Sequence, residues 1–269
     1  MNSVRPLKKL GQNYLKDKNI IKKIVDEINP LPKDNLLEIG PGLGSLTNEL
    51  VERGISFTAV EIDRRVIDDL RGRYPAVNII ENDFLELDLN NLLRTDTDKL
   101  RIAGNIPYNL TSSILFKMIE NSAIIKDAVL MVQYEVARRM TANKETKDYG
   151  ILAVVLSYFA DVKLAFKVSA NVFYPKPKVE SAVVHLVFKV KKQNQSFQKT
   201  FIQVVKAAFG NRRKMLRNSL SNSIFAEINF SESGIDLSKR AEQLSMDEFL
   251  LLTTFVLEKS NRSTSNNNY

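Results

Sequence analysis

Glycine and acidic residues follow three successive predicted strands, where they could hold a small ligand. The segment Gly40-Pro41-Gly42-Leu43-Gly44 ends the first strand and opens a helix, and its glycines allow a tight turn and a close approach of the backbone to a ligand. Glu61 ends the second strand, where its carboxylate could accept both hydroxyls of a ribose, and Asp83 follows the third, where it could bind an adenine amine. Negative charge beside the glycines disfavours a phosphate ligand. A cationic nucleoside such as S-adenosylmethionine fits better.

The tetrapeptide Asn105-Ile106-Pro107-Tyr108 follows the fourth predicted strand. It has the Asn-x-Pro-Tyr form used by methyltransferases that modify exocyclic amines of nucleobases. The lone pair of adenine N6 is delocalised into the ring, and acceptors such as the Asn105 side-chain oxygen and a backbone carbonyl would localise it. Positive charge develops on N6 during transfer, so preorganised acceptors stabilise the transition state more than the ground state. Pro107 would fix the backbone that presents the carbonyl, and Tyr108 would stack on the extruded base.

The composition excludes several other chemistries. The chain has no cysteine, which excludes disulfides, thiolate metal ligands and cysteine nucleophiles. His185 is the only histidine, so we expect neither a Ser-His-Asp triad nor a metal site. We interpret His185 as part of a buried strand and not as a catalyst. A methylated, cationic N6 loses its proton readily, so the transfer needs no strong base.

Short apolar runs alternate with helical patterns from Asn35 onward, which indicates an α/β fold with a parallel sheet covered on both faces. The predicted strands are 35–40, 56–61, 77–81, 100–103, 128–132, 166–168 and 182–190. The predicted helices are 45–53, 64–73, 201–209 and 246–257, with further helical patterns after the strands at 100–103 and 128–132.

A polar segment at 191–195 marks the predicted domain boundary. We expect an α/β domain with a basic amino-terminal segment over 1–190 and a helical domain over 191–260. Residues 261–269 are polar and predicted to form a disordered tail.

Positive charge is concentrated at both ends of the chain. The formal net charge is +8; residues 1–33 hold eight basic and three acidic residues, and 191–269 hold twelve and seven. This distribution suits a polyanionic partner. On a helix, Arg213 and Arg217 would share a face while Met215 and Leu216 pack inward. The candidate contacts to nucleic-acid phosphates are Arg5, Lys8, Lys9, Arg212, Arg213, Lys214 and Arg217.

No apolar run approaches the roughly 18 to 20 residues that a membrane span needs. The basic start of the chain lacks the continuous apolar stretch of a secretory signal. We therefore expect a cytoplasmic protein, monomeric and without a membrane partner.

Six motifs follow one another along nearly the whole chain. They are GQNYL at 11–15, EIGPGLGSLT at 38–47, NIPYNL at 105–110, QYEVARR at 133–139, FYPKPKV at 173–179 and AFGNRRK at 208–214. Together they resemble the motifs of the KsgA-type rRNA adenine N6-dimethyltransferases of the small ribosomal subunit. The chain departs from that family at Tyr14, where Phe is usual, and at Tyr134, where Lys is common.

The resemblance implies a Rossmann-like S-adenosylmethionine-dependent methyltransferase domain and a small C-terminal all-helical domain that binds RNA or the ribosome. The implied substrate is a pair of adjacent adenines in a hairpin near the 3′ end of small-subunit (16S) rRNA, in a 30S-like particle. Each adenine would receive two methyl groups, and a role in 30S biogenesis would follow. Phe173 would face Tyr108 across the target base. The implied cofactor contacts are Asn13, Leu15 (through its backbone), Gly40, Gly42, Glu61, Asp83 and Asn105.

Three alternatives stay open. A related enzyme that dimethylates one adenine of 23S rRNA and confers antibiotic resistance shares NIPYN, but Pro41 and the AFGNRRKML segment favour the small-subunit enzyme. A non-enzymatic ribosome-assembly factor would not need intact Asn105, Pro107 and Tyr108. An NAD-dependent oxidoreductase would carry G-x-G-x-x-G, whereas this chain has G-x-G-x-G.

Overall fold

The computed structural model describes residues 5–7, 11–95, 97–190, 193–211 and 213–266, with only the backbone over 262–266. Within these residues there are nine strands: β1 Tyr14–Leu15, β2 Asn35–Ile39, β3 Phe57–Glu61, β4 Asn78–Glu81, β5 Leu100–Asn105, β6 Ile125–Gln133, β7 Ala160–Val168, β8 Phe173–Tyr174 and β9 Ser181–Phe188. The same residues form nine α-helices: α1 Lys18–Ile28, α2 Ser45–Glu52, α3 Arg64–Arg73, α4 Thr111–Glu120, α5 Tyr134–Met140, α6 Ile151–Phe159, α7 Gln195–Phe209, α8 Leu216–Ser221 and α9 Met246–Asn266.

Seven strands form one sheet in the order β4-β3-β2-β5-β6-β9-β7. The pairs from β4 to β6 are parallel, but β9 runs antiparallel to both β6 and β7. The sheet is therefore mixed, and the prediction of a parallel sheet is wrong at this edge. The twelve residues that connect β7 to β9 form a 3₁₀ turn and the short strand β8 but no α-helix, so they do not supply the helical crossover that usually joins parallel strands.

Buried apolar residues explain why the central strands lie inside. All but the last residue of β5 is buried, as is β6 from Asp127 to Val132, as expected for strands covered on both faces. Because β2, β3 and β5 are parallel, their carboxyl ends lie at one edge of the sheet. The glycine segment, Glu61 and Asn105 are thereby brought to the same edge.

A helix and a short strand that the sequence patterns did not predict precede β2. Asp17 caps α1 by accepting the N–H groups of Asn19 and Ile20, and the helix buries Ile21, Ile24, Val25 and Ile28 at helical spacing. Before it, β1 pairs antiparallel with β8, so that Tyr14 faces Tyr174 and Leu15 faces Phe173.

The chain forms two compact units, Met1–Arg138 with Ala160–Lys189, and Arg139–Phe159 with Val190–Tyr269. The division between Lys189 and Val190 lies beside the predicted boundary, but the second unit also includes Arg139–Phe159, and with it α6, which the prediction assigned to the first domain. Within that unit the rings of Tyr158 on α6 and Phe201 on α7 lie 4.5 Å apart. This apolar contact between distant segments leaves no local signal in the sequence.

Helices and turns make up the second unit, with no strand in its described part. Residues 261–266, predicted as part of a disordered tail, continue α9, and 267–269 lie outside the described residues. None of the helices that the structure describes is both long and apolar enough to cross a bilayer.

Candidate active site

A cleft of about 300 Å³ opens at the carboxyl ends of β2, β3 and β5 in the first unit. It brings together nine of the residues predicted from the sequence: Asn13, Leu15, Gly40, Gly42, Glu61, Asp83, Asn105, Pro107 and Tyr108. Their convergence from five separate segments of the chain makes this cleft the candidate active site.

Gly40 and Gly42 serve the cleft in different ways. Both have positive φ angles, +63° and +56°, which disfavour other residues. A Cβ on Gly40 would meet no atom within 4 Å, so open space lies beside its backbone. A Cβ on Gly42 would lie 3.1 Å from Cε1 of Tyr14. Gly40 therefore leaves room for a ligand, while Gly42 lets the loop pack on Tyr14.

The Glu61 carboxylate is held by backbone groups. Its Oε1 accepts the N–H groups of Ile62 and Asp63 at 2.9 and 2.8 Å, and its Oε2 accepts the N–H of Gly42 at 2.9 Å. Burial raises the pKa of Glu61 despite these bonds. A carboxylate offers about four acceptor positions, so these three bonds leave about one, on Oε2, for a ligand.

Glu38, beneath the glycine segment, is a second buried acid that the predicted site did not include. It is 1% exposed, and its Oε2 accepts the hydroxyl of Thr47 at 2.8 Å. Burial, assisted by the nearby Glu61, raises the pKa of Glu38 to about 7. Its position two residues before the first glycine was the available sequence signal.

Asp83 presents one carboxylate oxygen to the cleft region. Its Oδ1 accepts the N–H of Leu85 at 2.8 Å, while Oδ2 has no hydrogen-bond partner within the described part of the chain. The free oxygen can accept a hydrogen bond from an amine. The apolar side chain of Ile62, which is half exposed, lines the same cleft. It could pack against a flat aromatic ring, and the sequence analysis did not include it in the site.

The orientation of the Asn105 amide follows from its single bond. Asn105 Nδ2 donates to the carbonyl oxygen of Asn13 at 2.9 Å. A carbonyl only accepts hydrogen bonds, so the amide nitrogen must face Asn13. Asn105 Oδ1 therefore faces away, and no described residue donates to it.

Tyr108 begins a 3₁₀ turn over Tyr108–Leu110, and its hydroxyl shares a 2.6 Å hydrogen bond with Ser181 Oγ. Burial raises the pKa of Tyr108, so its phenol stays protonated at neutral pH. Phe173, predicted to face Tyr108, is 4% exposed and packs in the hydrophobic core. It does not belong to the cleft lining, although its partner in β1, Leu15, does.

Gln12 fixes the amino-terminal segment beside the cleft, which the sequence did not reveal. Gln12 Nε2 donates to Asp63 Oδ2 at 2.7 Å, and Tyr14 donates its hydroxyl to Gln12 Oε1 at 2.8 Å. Burial and Asp63 raise the pKa of Tyr14 to about 12. Because Phe lacks this hydroxyl, the Tyr at position 14 gives the segment an additional bond.

Of the predicted RNA contacts, Arg5, Arg213, Lys214 and Arg217 are exposed, whereas Lys8, Lys9 and Arg212 lie outside the described residues. The prediction that Arg213 and Arg217 share a helical face is wrong, because α8 starts only at Leu216. Leu216 is buried as predicted, but Met215 is 41% exposed. A turn closed by the Lys214 N–H to the Asn211 carbonyl, 2.8 Å, precedes the helix.

His185 lies away from the cleft, toward the amino end of the sheet. It occupies β9 opposite Val129, and its Nδ1 bonds Glu27 Oε1 at 2.9 Å. This position agrees with a structural histidine in a buried strand. No group of three or more His, Asp or Glu side chains in the described residues could hold a metal ion.

Comparisons with known proteins fit this geometry. A family model described as ribosomal RNA adenine dimethylase matches residues 4–257. Ribosomal RNA small subunit methyltransferase A of Prosthecochloris aestuarii is 46% identical over 246 residues, 91% of this chain and 92% of the relative. The protein of the same name from Bacteroides thetaiotaomicron is 40% identical and covers 100% of both chains.

Two solved structures share the fold. A dimethyladenosine transferase from Plasmodium falciparum superposes with a TM-score of 0.73 at 24% identity, covering 92% of this chain and 97% of that one. The 23S rRNA methyltransferase ErmE superposes with a TM-score of 0.64 at 26% identity, covering 90% and 99%. These likenesses confirm the predicted methyltransferase fold.

Proposed function

This chain belongs to the ribosomal RNA adenine dimethylase family, and from that premise we propose its substrate, its methyl donor and the roles of its residues. It transfers methyl groups from S-adenosylmethionine to N6 of two adjacent adenines in the 3′-terminal hairpin of small-subunit rRNA. The rRNA is presented in a 30S-like particle, the protein acts as a monomer, and the reaction accompanies 30S biogenesis.

The residues of the cleft fit a cationic nucleoside donor. Open space beside Gly40 admits a ligand against the backbone, and the nearby acids Glu38 and Glu61 favour a positive charge. Glu61 Oε2 accepts one ribose hydroxyl, Asp83 Oδ2 accepts the adenine amine, and Asn13 and Leu15 close the cleft from the β1 side. When bound, S-adenosylmethionine supplies an electrophilic methyl group.

Asn105 carries the proposal for the target base. Its Oδ1 is turned away from Asn13 and accepts a hydrogen from adenine N6. The carbonyl of Pro107 already accepts the Leu110 N–H at 3.1 Å and the Thr111 hydroxyl at 3.4 Å, which occupy its two lone pairs. The Ile106 carbonyl is therefore the backbone acceptor for the other hydrogen. The hydrogen bonds from N6 to both acceptors become stronger as N6 gains positive charge, so they stabilise the transition state more than the ground state. The Tyr108 ring, held by Ser181, stacks on the base, with Phe173 supporting this wall from the core.

The choice of the small subunit rests on similarity. The relatives that are 40 and 46% identical are both named small subunit methyltransferase A, whereas ErmE, a 23S rRNA methyltransferase, is 26% identical. This difference favours 16S rRNA over 23S rRNA as the substrate.

Exposed cations of the second unit contact the RNA phosphates. Arg213, Lys214 and Arg217 have no carboxylate within ion-pair distance in the described part of the chain. Arg5, in the amino-terminal segment of the first unit, is a second, separate contact. We expect R213A/R217A to weaken 30S binding and to flatten its dependence on salt. The slope of log K against log salt concentration should become shallower by about 0.9 for each duplex phosphate that is no longer neutralised, or by about 0.7 for each phosphate of a single strand. S-adenosylmethionine affinity should stay unchanged. An unchanged salt slope and 30S affinity would contradict the role of this cluster.

Labelled S-adenosylmethionine tests the function directly. The protein is incubated with unmethylated 30S subunits or with protein-free 23S rRNA, and the label is mapped. We expect label only on two adjacent adenines near the 3′ end of 16S rRNA. Label on 23S rRNA would select the alternative enzyme, and no label on either RNA would contradict the function.

Asn105→Ala is the matched catalytic variant. Removing a preorganised acceptor should cost roughly 2.7–4 kcal/mol, about a hundredfold to a thousandfold in turnover. Asn121→Ala, at the end of α4 and outside the cleft lining, changes the same residue type without removing the acceptor. Near-normal turnover of Asn105→Ala at saturating cofactor would contradict the assigned role.

A further inference from the structure

The segment from Tyr174 to Glu180 joins two positions that contact residues of the cleft lining. At one end, Tyr174 in β8 faces Tyr14 in β1. Asn13, which directly precedes Tyr14, accepts a hydrogen bond from the Asn105 amide through its carbonyl oxygen. At the other end, Ser181 follows directly and bonds the hydroxyl of Tyr108 at 2.6 Å. The segment is therefore anchored close to Asn105 and Tyr108, the two residues proposed to contact the target base.

Its surface combines an aromatic ring with unpaired positive charge. Tyr174 is 54% exposed, with Lys16 Nζ 4.1 Å above its ring. Lys176 and Lys178 are exposed, and no carboxylate of the described residues lies within ion-pair distance of either. The segment's acid, Glu180, is paired with Lys167 at 3.2 Å. Nothing within the described chain thus neutralises the two lysines.

Two prolines limit the freedom of this segment. Pro175 and Pro177 alternate with the lysines, and each ring fixes its own φ angle. The lysine side chains consequently start from a restricted backbone, which lowers the entropy lost when they bind a ligand. An exposed ring beside a line of cations is the combination that binds single-stranded nucleic acid.

We infer that this segment, with Lys16, holds the RNA strand on either side of the methylated adenine. Tyr174 stacks on a neighbouring base, while Lys16, Lys176 and Lys178 contact phosphates. The inference rests on the proposed function and adds to it a second RNA-binding surface, in the catalytic unit itself. Such a surface holds the extruded nucleotide in the cleft, so its loss should raise the KM for RNA.

Removal of the two lysines is the first test. We expect K176A/K178A to raise the KM for 30S subunits several-fold and to reduce the salt slope of RNA binding by about 0.7 for each single-strand phosphate that is no longer neutralised. The affinity for S-adenosylmethionine should stay unchanged. K33A/K126A is the matched control, because it removes two exposed lysines at the opposite end of the same sheet.

Tyr174 is tested by a pair of substitutions. Tyr174→Ala removes the stacking ring and should raise the KM for RNA by roughly tenfold, while Tyr174→Phe keeps the ring and should retain a KM near that of the wild type. A defect of equal size in both variants would overturn the stacking role. Cofactor affinity of each variant, measured by calorimetry, reports whether β1 and the cleft remain intact.

The outcomes separate this inference from the function itself. Wild-type protein that labels neither rRNA would contradict the proposed function. Wild-type protein that methylates 30S subunits, with K176A/K178A matching K33A/K126A in KM and salt slope, would overturn the inference alone. A raised KM and reduced slope confined to K176A/K178A would support it.

Discussion

The two ends of the central sheet both bury carboxylates but surround them differently. At the amino end, the Arg101 guanidinium bonds Asp34 at 2.6 Å and Asp127 at 2.8 Å. Burial alone would raise the pKa of both acids, but their partners lower it. Hydrogen bonds from Leu31 N–H and Arg101 lower the pKa of Asp34, and His185, whose Nε2 lies 3.7 Å from Oδ2, and the Arg101 guanidinium lower the pKa of Asp127. Each acid at this end is matched by a cation.

At the carboxyl end, the buried acids of the cleft have no such partner. Glu38 and Glu61 are bonded only by a hydroxyl and backbone N–H groups, and no cation of the described residues lies within ion-pair distance of either. Burial raises the pKa of both. The fold therefore retains an electrostatic cost at the cleft that it removes at the opposite end.

The difference indicates what each end is for. A matched buried pair contributes to a defined structure, whereas an unmatched buried acid has a perturbed pKa, as is frequent at functional sites. Binding a cationic donor would supply the missing charge at the cleft. Substitutions at the amino end should then change stability, and substitutions at the cleft should change ligand binding.

Arg101→Met should have the largest effect on folding. Arg101 is 7% exposed and also donates to the carbonyls of Ile28 and Asn29 at the end of α1. Its loss leaves Asp34 without a cation and Asp127 with only His185 at 3.7 Å, which should cost about 3–5 kcal/mol of unfolding free energy, measured by urea denaturation.

Arg53→Met is the control for that substitution. Arg53 pairs with Asp26 and Glu49, but its side chain is 32% exposed, so its loss should cost about 1 kcal/mol or less. Equal losses in the two variants would contradict the distinction between buried and surface pairs.

Glu38→Gln should raise the free energy of unfolding, whereas Arg101→Met should lower it. The pKa of Glu38 is raised to about 7, so the folded state binds the proton more tightly than the unfolded chain. The unfolding free energy of the wild type should therefore fall as the pH rises from about 4.5 to 7. Glu38→Gln lacks this loss and should be more stable above pH 7 by roughly 3 kcal/mol, from the shift of about 2.5 pH units at 1.36 kcal/mol each.

The same substitution should weaken cofactor binding. A cation favours ionised Glu38, so wild-type affinity for S-adenosylmethionine should rise with pH through about 7 and level off above it. Glu38→Gln should flatten that rise. Glu52→Gln, which removes an exposed carboxylate from α2, is the control for charge. A Glu38→Gln variant with unchanged stability and affinity above pH 7 would contradict the proposed difference between the two ends of the sheet, because Glu38 would then carry no electrostatic cost in the cleft.

Sequence patterns within short segments predicted the features that depend on neighbouring residues alone. The strands from β2 to β6, the glycine segment and the Asn105 loop were found because apolar runs, glycines and Asn-Ile-Pro-Tyr carry their own signals. The antiparallel placement of β9 depends on pairing between distant strands, and the contact of Asn105 with Asn13 joins residues 92 positions apart. The helix predicted across Arg213 failed because backbone bonds from Leu216 and Arg217 to the segment 237–239 fix where α8 begins.

His185→Gln should have the smallest effect and probes the amino end by pH. Its imidazole faces Glu27 from α1, with Nδ1 at 2.9 Å from Oε1, and Asp127 from β6, with Nε2 at 3.7 Å from Oδ2, an ion-pair distance. Lys163 on β7 shares Glu27 at 3.4 Å, and Arg101 shares Asp127. The two carboxylates, Asp127 first, raise the pKa of His185 against the effect of burial.

A histidine with a raised pKa stabilises the fold below its usual value of 6.5, and this contribution is lost as the pH rises through the folded-state pKa. We therefore expect His185→Gln to cost about 1 kcal/mol near pH 6, the size of one hydrogen bond, and less at higher pH. Glu38 acts between about pH 4.5 and 7, so urea denaturation of the two single variants and the double variant across pH separates the two ends. If His185→Gln costs the same at every pH, the imidazole is neutral in the fold, and the amino end is not matched charge for charge. A loss that grows with pH would reverse the assigned sign, because the folded state would then hold the proton less tightly than the unfolded chain.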